Sequence, residues 1–188
     1  MAVGLTLPTV GGSNNTWGTT VNAALNQING YDVVAAKTAD QSSPSSTTTL
    51  FDDTHMALAL PAAGTYVVEG MFLFSSVSTT PEIKIAWAYT GTLTNGYRAT
   101  MGPSTASTDP LGATAQGIRA AAAGATSAAI TSSVPYGIDG TNWSTAFEKG
   151  LVIVSTSGTL KVQWAQNVSN ATVTTMRTGS FFWARRVA

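Results

Sequence analysis

The sequence predicts a mainly β fold, a jelly-roll-like antiparallel sandwich preceded by an extended N-terminal arm and one short helix. Large apolar side chains recur at every second position in several segments, as expected for half-buried strands. Glycine, proline and asparagine separate these segments and are typical of turns. Helical periodicity is almost absent, so the combination favours a sandwich or jelly roll over a β/α fold.

The N-terminal segment is predicted to be an extended arm followed by a helix. Residues 3–10 alternate loosely, and Pro8 would interrupt a central strand ladder because it has no N–H to donate. The apolar residues that follow are spaced by four, four and three positions, which places them on one helical face: Trp17, Val21, Leu25 and Ile28. This spacing predicts a helix over about residues 16–28. A helix of this length is marginal alone, so its apolar stripe must pack on its own body, on other copies or on a larger assembly.

A Ser/Thr/Pro-rich stretch over residues 40–49 has the composition of a linker. The sequence is therefore divided into an arm and helix for attachment or oligomerisation (residues 1–39), a linker (residues 40–49) and a β-sandwich body (residues 50–188). Within the body, alternation predicts strands over residues 56–60, 65–74, 82–89, 151–154, 159–166, 172–176 and 180–187. The four alanines at 120–123 fit a short helix and a short strand equally well.

Two predicted strands, residues 66–74 and 181–184, are apolar on both faces. A strand in a two-layer sandwich needs only one apolar face, so another element or subunit must cover the second one. A loop or the N-terminal helix could cover it. The alternative is self-association, for which cyclic homo-oligomers are the usual outcome.

The charge balance and the cysteine count exclude several classes of protein. Nine Lys plus Arg balance nine Asp plus Glu without a basic run, which argues against nucleic acid as a partner. The absence of cysteine excludes disulfides and Cys-based zinc sites. The sequence contains no apolar run of about 18 residues and no signal-peptide pattern, so we expect no membrane span and synthesis in a cytoplasm.

The sequence offers no catalytic, metal or cofactor site. His55 is the only histidine and follows Asp52 and Asp53, but no further His or Cys could complete a metal site. We therefore interpret this segment as a turn in which Asp52 or Asp53 caps the backbone, and we expect no enzyme and no cofactor. A glycan- or ester-cleaving enzyme using Asp52, Asp53 and Glu69 is kept as a rival hypothesis. Exposed aromatic residues such as Trp143 or Tyr97 could stack on sugar rings, with core packing as the alternative.

The run LPTVGGSNNTWGTTVN at positions 7–22 resembles the opening of many tailed-bacteriophage tail-fibre and minor tail proteins. The runs LKVQWAQN at 160–167 and ATVTTMRTGS at 171–180 resemble the closing hairpin of virion β domains in phages of actinobacteria. The resemblance implies a non-enzymatic virion protein, made in the bacterial host cytoplasm. It would be a tail-associated homotrimer that contacts other virion proteins, with a host-surface glycan as a further candidate partner.

The hypothesis assigns attachment and oligomerisation to Leu7, Pro8, Val10, Trp17, Val21, Leu25 and Ile28. The chain is short for a fibre and has no long shaft repeat. A capsid decoration or head-fibre protein is therefore the alternative, and the same residues would serve it.

Overall fold

The structure is a computed structural model and describes residues 32–105, 116–120 and 130–188. The predicted arm and the helix over 16–28 lie outside the described residues. The described chain forms twelve strands: β1 Asp32–Ala36, β2 Gln41–Ser42, β3 Phe51–Leu60, β4 Gly64–Ser75, β5 Ile83–Tyr89, β6 Leu93–Pro103, β7 Gln116–Ala120, β8 Val134–Tyr136, β9 Ser144–Val154, β10 Gly158–Ala165, β11 Thr175–Met176 and β12 Phe181–Arg186. Among these residues no helix has the length and apolar character needed to cross a membrane.

The strands form two antiparallel sheets that pack face to face. The large sheet has the order β1-β12-β4-β9-β6-β7, with the short strands β11 and β2 joined at the end of β4, and the small sheet has the order β3-β10-β5-β8. If β2, β6, β7 and β11 are set aside, the remaining eight strands have the orders first-eighth-third-sixth and second-seventh-fourth-fifth. This double Greek key is a jelly roll, so the predicted fold class is confirmed. The long hairpin β6-β7 widens the large sheet beyond β9.

The core lies between the two sheets and is rich in aromatic residues. Trp87 and Phe182 meet edge to face across the sheets, with ring centroids 5.2 Å apart. The largest side chains with no more than 2% exposure are Trp87, Trp164, Tyr66, Tyr136, Phe72, Phe74 and Phe182. Because strands alternate their side chains, the same strands that fill this core also present a second set of residues outward.

The boundary predicted at Leu50 differs from the structure. Strand β1 pairs with β12, and β2 pairs with β11, so residues before Leu50 belong to the large sheet. Ser43 lies inside the stretch described as a linker, yet it is buried and its N–H donates to the Thr174 carbonyl at 2.7 Å. Composition indicated a linker because hydroxyl side chains are common in linkers, but here they bond to distant strands. Of the four alanines at 120–123, Ala120 ends β7 and the others lie outside the described residues.

Candidate functional site

The outer face of the large sheet, the side turned away from the small sheet, forms a broad apolar surface. Cross-strand pairing aligns its side chains in rows across five strands. The first row contains Ala36, Phe181, Met71, Phe147 and Met101. The second row contains Val34, Trp183, Glu69, Lys149 and Ala99. The third row contains Asp32, Arg185, Val67, Leu151 and Tyr97.

The outer face is open to solvent in the described part of the chain. The inward residues of β4, such as Phe72, are fully buried, whereas the outward residues Val67 and Met71 are only half-buried. Further across the sheet, Phe147, Tyr97 and Met101 are 45%, 44% and 39% exposed. Isolated exposed apolar residues are normal, but a contiguous apolar patch typically marks a contact with another molecule.

The charges on the outer face are paired with one another. Glu69 and Lys149 lie directly opposite on β4 and β9 and form an ion pair. At the sheet edge, the hydrogen bond from Arg185 holds the pKa of Asp32 below its usual range. An apolar partner would therefore meet no unpaired charge among these side chains.

An open groove of about 360 Å³ crosses the outer face between the first two rows. Phe147, Met101 and Phe181 line one side, and Glu69, Lys149 and Ala99 line the other. The small side chain of Ala99 leaves room between its larger neighbours. The groove can receive an apolar side chain from another molecule.

A buried polar network holds β6 against the rest of the jelly roll. Arg98 points inward from β6 and donates to Glu148 of β9 at 3.1 Å. Its second terminal nitrogen donates to the Ile85 carbonyl at 3.2 Å and to the Ser132 carbonyl at 2.6 Å. The Tyr136 hydroxyl donates to the other oxygen of Glu148 at 2.6 Å. These bonds fix the register of β6, and with it the outward position of Tyr97 and Met101.

The titration of this network follows from its burial. Desolvation raises the pKa of Glu148, while the Arg98 charge and the Tyr136 hydrogen bond oppose that rise. Burial, together with the Glu148 charge, raises the pKa of Tyr136, so the phenol stays a donor. Arg98 and Glu148 have no exposed side-chain surface. A substrate therefore could not reach them, and we assign the network a structural role.

The three carboxylates of the enzyme hypothesis do not share a site. Asp52 is partly exposed on the small sheet, where it accepts from Lys161 at 2.6 Å and Gln163 at 2.8 Å. Asp53 is buried, and Glu69 lies on the outer face of the large sheet.

Asp53 caps the backbone, as predicted for Asp52 or Asp53, but it does so within strand β3 and not in a turn. The pairing of β3 with β10 shifts register between Lys161 and Gln163, and Asp53 accepts from the backbone N–H groups of His55 and Met56 at this irregularity. Its other oxygen accepts from Lys37 at 2.8 Å and from the Trp164 indole at 3.1 Å. All its acceptor capacity serves the fold. Among the described residues, no group of three His, Cys, Asp or Glu could hold a metal ion.

The seven residues assigned to attachment and oligomerisation, from Leu7 to Ile28, lie outside the described residues. Their role stays a prediction. The sequence pattern indicated two-sided strands only for β4 and β12, and it missed the contributions of β6 and β9 to the outer face. Local periodicity carried no signal for these two strands, because Arg98 and Thr100 of β6 and Glu148 of β9 are polar residues that point inward.

No family model and no curated protein matches the chain. Among solved structures, the Eiger TNF of S. frugiperda is similar at 8% identity over 84% of this chain and 92% of that chain, with a TM-score of 0.46. Murine APRIL is similar at 8% identity over 84% of this chain and 98% of that chain, with a TM-score of 0.37. The infectious bursal disease virus VP2 subviral particle is similar at 11% identity over 84% of this chain and 41% of that chain, with a TM-score of 0.22. Because these similarities are distant, the strand order of the protein itself defines the jelly roll.

Proposed function

We propose that this protein is a non-enzymatic structural component of a bacteriophage virion. It is a tail-associated minor tail or fibre protein that forms homotrimers, with the outer face of the large sheet as a contact between copies. The N-terminal residues 1–31 provide attachment to the particle and complete the contact between copies. The sequence resemblance at positions 7–22 supports the virion role.

The observation that carries the proposal is the open apolar row from Ala36 to Met101 on the outer face. A second copy of this chain is the occupant that we assign to this face. The paired charges of Glu69 and Lys149 make the face neutral, as the whole chain is neutral. Like copies can therefore approach without net repulsion.

The dimensions of the face indicate how much of the contact it supplies. Strands lie about 4.8 Å apart, so the five strands from β1 to β6 span about 19 Å. The outward residues of β4 from Val67 to Leu73 span about 20 Å along the strand. The flat area is therefore about 400 Å², roughly half of the 800 Å² per partner in a standard interface. We assign the rest of the contact to the N-terminal residues, in which Trp17, Val21, Leu25 and Ile28 share one predicted helical face.

A capsid decoration or head-fibre role is the second candidate, because the residues assigned to attachment would serve it equally well. The two roles differ in copy number. A decoration protein follows the capsid lattice and reaches tens to hundreds of copies, whereas a tail tip holds a few.

The proposal is tested by supplying tagged full-length protein during infection by the phage that encodes it and counting copies per purified particle. The wild-type chain should be incorporated, and Phe147→Asp should not, because the contact between copies would bury an unpaired carboxylate. Val168→Asp is the matched control, since Val168 is 43% exposed and lies outside the three rows of the outer face. It should be incorporated at the wild-type level.

Three outcomes would each overturn a part of the proposal. Absence of the wild-type chain from particles would reject the virion role, and full incorporation of Phe147→Asp would reject the outer face as the contact. Release of sugar from host envelopes by the purified protein would reject the non-enzymatic assignment.

A further inference from the structure

A second surface combines an exposed indole ring with free polar groups at one end of the large sheet. Three exposed apolar side chains gather there, with Val77 at 87%, Trp143 at 52% and Val173 at 37% exposure. They line a cleft of about 180 Å³ whose polar residues include Thr141, Thr172 and Arg177. These six residues define the Trp143 cleft, and none of them lines the groove of the outer face.

The loop that carries Trp143 is held in place by its own hydrogen bonds. One oxygen of Asp139 accepts from the N–H groups of Thr141 at 2.8 Å and Asn142 at 3.2 Å. The other oxygen accepts from the Asn142 side-chain amide at 3.0 Å, and these bonds lower the pKa of Asp139. The Asp139 N–H donates to the Ser144 hydroxyl at 3.1 Å, which ties the loop to the start of β9. The ring is therefore positioned before any ligand arrives, which reduces the entropy cost of binding.

Arg177 places a guanidinium group beside this ring. Its Nε donates to the Ser75 hydroxyl at 2.8 Å, and one terminal nitrogen donates to Asp40 at 2.6 Å. The guanidinium carbon lies 5.4 Å from the centroid of the Trp143 ring, within cation–π range. The second terminal nitrogen makes no hydrogen bond within the described residues. It can donate to a ligand at the edge of the ring.

The cleft also presents unused hydroxyl groups. Thr141 and Thr172 both line it, and neither hydroxyl takes part in a hydrogen bond within the described part of the chain. Each hydroxyl can both donate and accept. The cleft thus presents the exposed half of the Trp143 side chain that Arg177 leaves uncovered, together with a directional donor and two groups of either polarity.

We propose that the Trp143 cleft binds one neutral pyranose residue of a surface saccharide. A pyranose ring has an apolar C–H face that can stack on the indole and equatorial hydroxyls that can reach Arg177 and the two threonines. Asp40 neutralises Arg177, and Asp139 lies nearby, so the cleft has no spare positive charge for an acidic sugar. The inference names a ligand for a virion protein and in that sense rests on the proposed function. Its test uses purified protein and is independent of particle incorporation.

The test follows the tryptophan resonances of the full-length protein, labelled with 5-fluorotryptophan, by ¹⁹F NMR. The chain has five tryptophans, and the Trp143 resonance is the one that Trp143→Ala lacks. Glucose, galactose, mannose and N-acetylglucosamine are titrated separately, with glucuronate as the acidic probe. At least one neutral sugar should shift the Trp143 resonance saturably. A millimolar dissociation constant is expected for a ligand of about a dozen non-hydrogen atoms.

Variants of the cleft test whether the sugar binds there. The second readout is the dissociation constant, measured by calorimetry. Trp143→Ala and Arg177→Lys should each weaken binding about tenfold or more, because one removes the stacking surface and the other removes the fork of donors. Val168→Ala is the matched control, since Val168 is 43% exposed but lines neither the Trp143 cleft nor the groove of the outer face, and it should bind as the wild type does.

Absence of any saturable shift with the four neutral sugars would overturn the inference, as would wild-type affinity in Trp143→Ala. Preference for glucuronate would overturn the assignment to a neutral sugar.

Discussion

The buried ion pair between Arg98 and Glu148 is predicted to contribute to the free energy of unfolding. Both side chains are fully buried, and Arg98 supplies hydrogen bonds to Glu148 and to the carbonyls of Ile85 and Ser132. Arg98→Met keeps much of the buried volume but leaves Glu148 without its cation. Removing one partner of a buried ion pair costs about 3–5 kcal/mol, so the free energy of unfolding at neutral pH should fall by that amount.

The loss of unfolding free energy in Arg98→Met should depend on pH, and the direction of that dependence follows from the pKa of Glu148. Burial already raises this pKa in the folded protein, and removal of Arg98 raises it further. Above about pH 4.3, the folded variant therefore keeps a proton on Glu148. The unfolded chain, in which glutamate has a pKa of about 4.3, has lost that proton. Its stability should rise as the pH falls from neutral towards about 4.3, by at most about 1.4 kcal/mol per pH unit, and more steeply than in the wild type.

The assay is urea unfolding followed by tryptophan fluorescence at fixed protein concentration, repeated between pH 5 and pH 8. The double variant Arg98→Met/Glu148→Gln should recover part of the loss, because it removes the buried charge and keeps an acceptor for Tyr136. Lys161→Met is the matched control, since Lys161 pairs with Asp52 on the surface of the small sheet, away from the proposed contact, and no measurable change is expected. A loss below about 1 kcal/mol in Arg98→Met, or one that is the same at every pH, would refute the reasoning.

Three further predictions concern the packing of the jelly roll and the N-terminal segment. Gly150→Ala should destabilise the fold by about 1–3 kcal/mol in urea unfolding, because the added Cβ would lie 2.4 Å from the Tyr97 carbonyl oxygen. Gly140→Ala is the control and should have no effect, since the atoms nearest to its added Cβ lie 3.5 Å away. Asp53→Ala should cost about 3–5 kcal/mol by the same measurement, because Lys37 loses its buried anion; a cost near zero would contradict the capping role. Deletion of residues 1–30 should leave a folded body that still unfolds cooperatively in urea, because β1 begins at Asp32, but the body should no longer enter particles. Incorporation of the truncated chain would contradict the attachment role.

The sequence predicted those strands that follow the simple rule of apolar residues inward and polar residues outward. Strand β10 is an example, since its inward residues Leu160, Val162 and Trp164 are all fully buried. Strand β6 reverses the rule. Arg98 and Thr100 point into the sandwich, while Tyr97 and Met101 point to solvent, so the pattern does not resemble a half-buried strand. The reversal makes physical sense only after Glu148 of β9 is known to accept a hydrogen bond from Arg98.

The first half of β9 was missed for the same reason. Ser144 and Glu148 point inward, whereas Phe147 points outward and is 45% exposed. The inward polar residues need partners from distant parts of the chain, and the outward apolar residues make sense only as part of a surface that spans several strands. Neither condition can be derived from local periodicity. The outer face could therefore be predicted for β4 and β12 alone.

The Trp143 cleft illustrates a different limit. The sequence suggested Trp143 and Tyr97 as exposed aromatic residues, and both are exposed in the structure. The sequence could not indicate that Arg177 lies over the Trp143 ring, because 34 positions separate the two residues along the chain. The structure separates the two candidates by their surroundings, with Tyr97 on the outer face and Trp143 beside free polar groups.

The central claim, that copies of this chain meet through the outer face, is tested most directly by the mass of the full-length protein in solution. Light scattering at several concentrations should give a stable mass near three times 19.3 kDa for the wild type and a lower mass for Phe147→Asp. A wild-type mass of 19.3 kDa at every concentration would contradict the claim, because the outer face would then be a surface without a second copy.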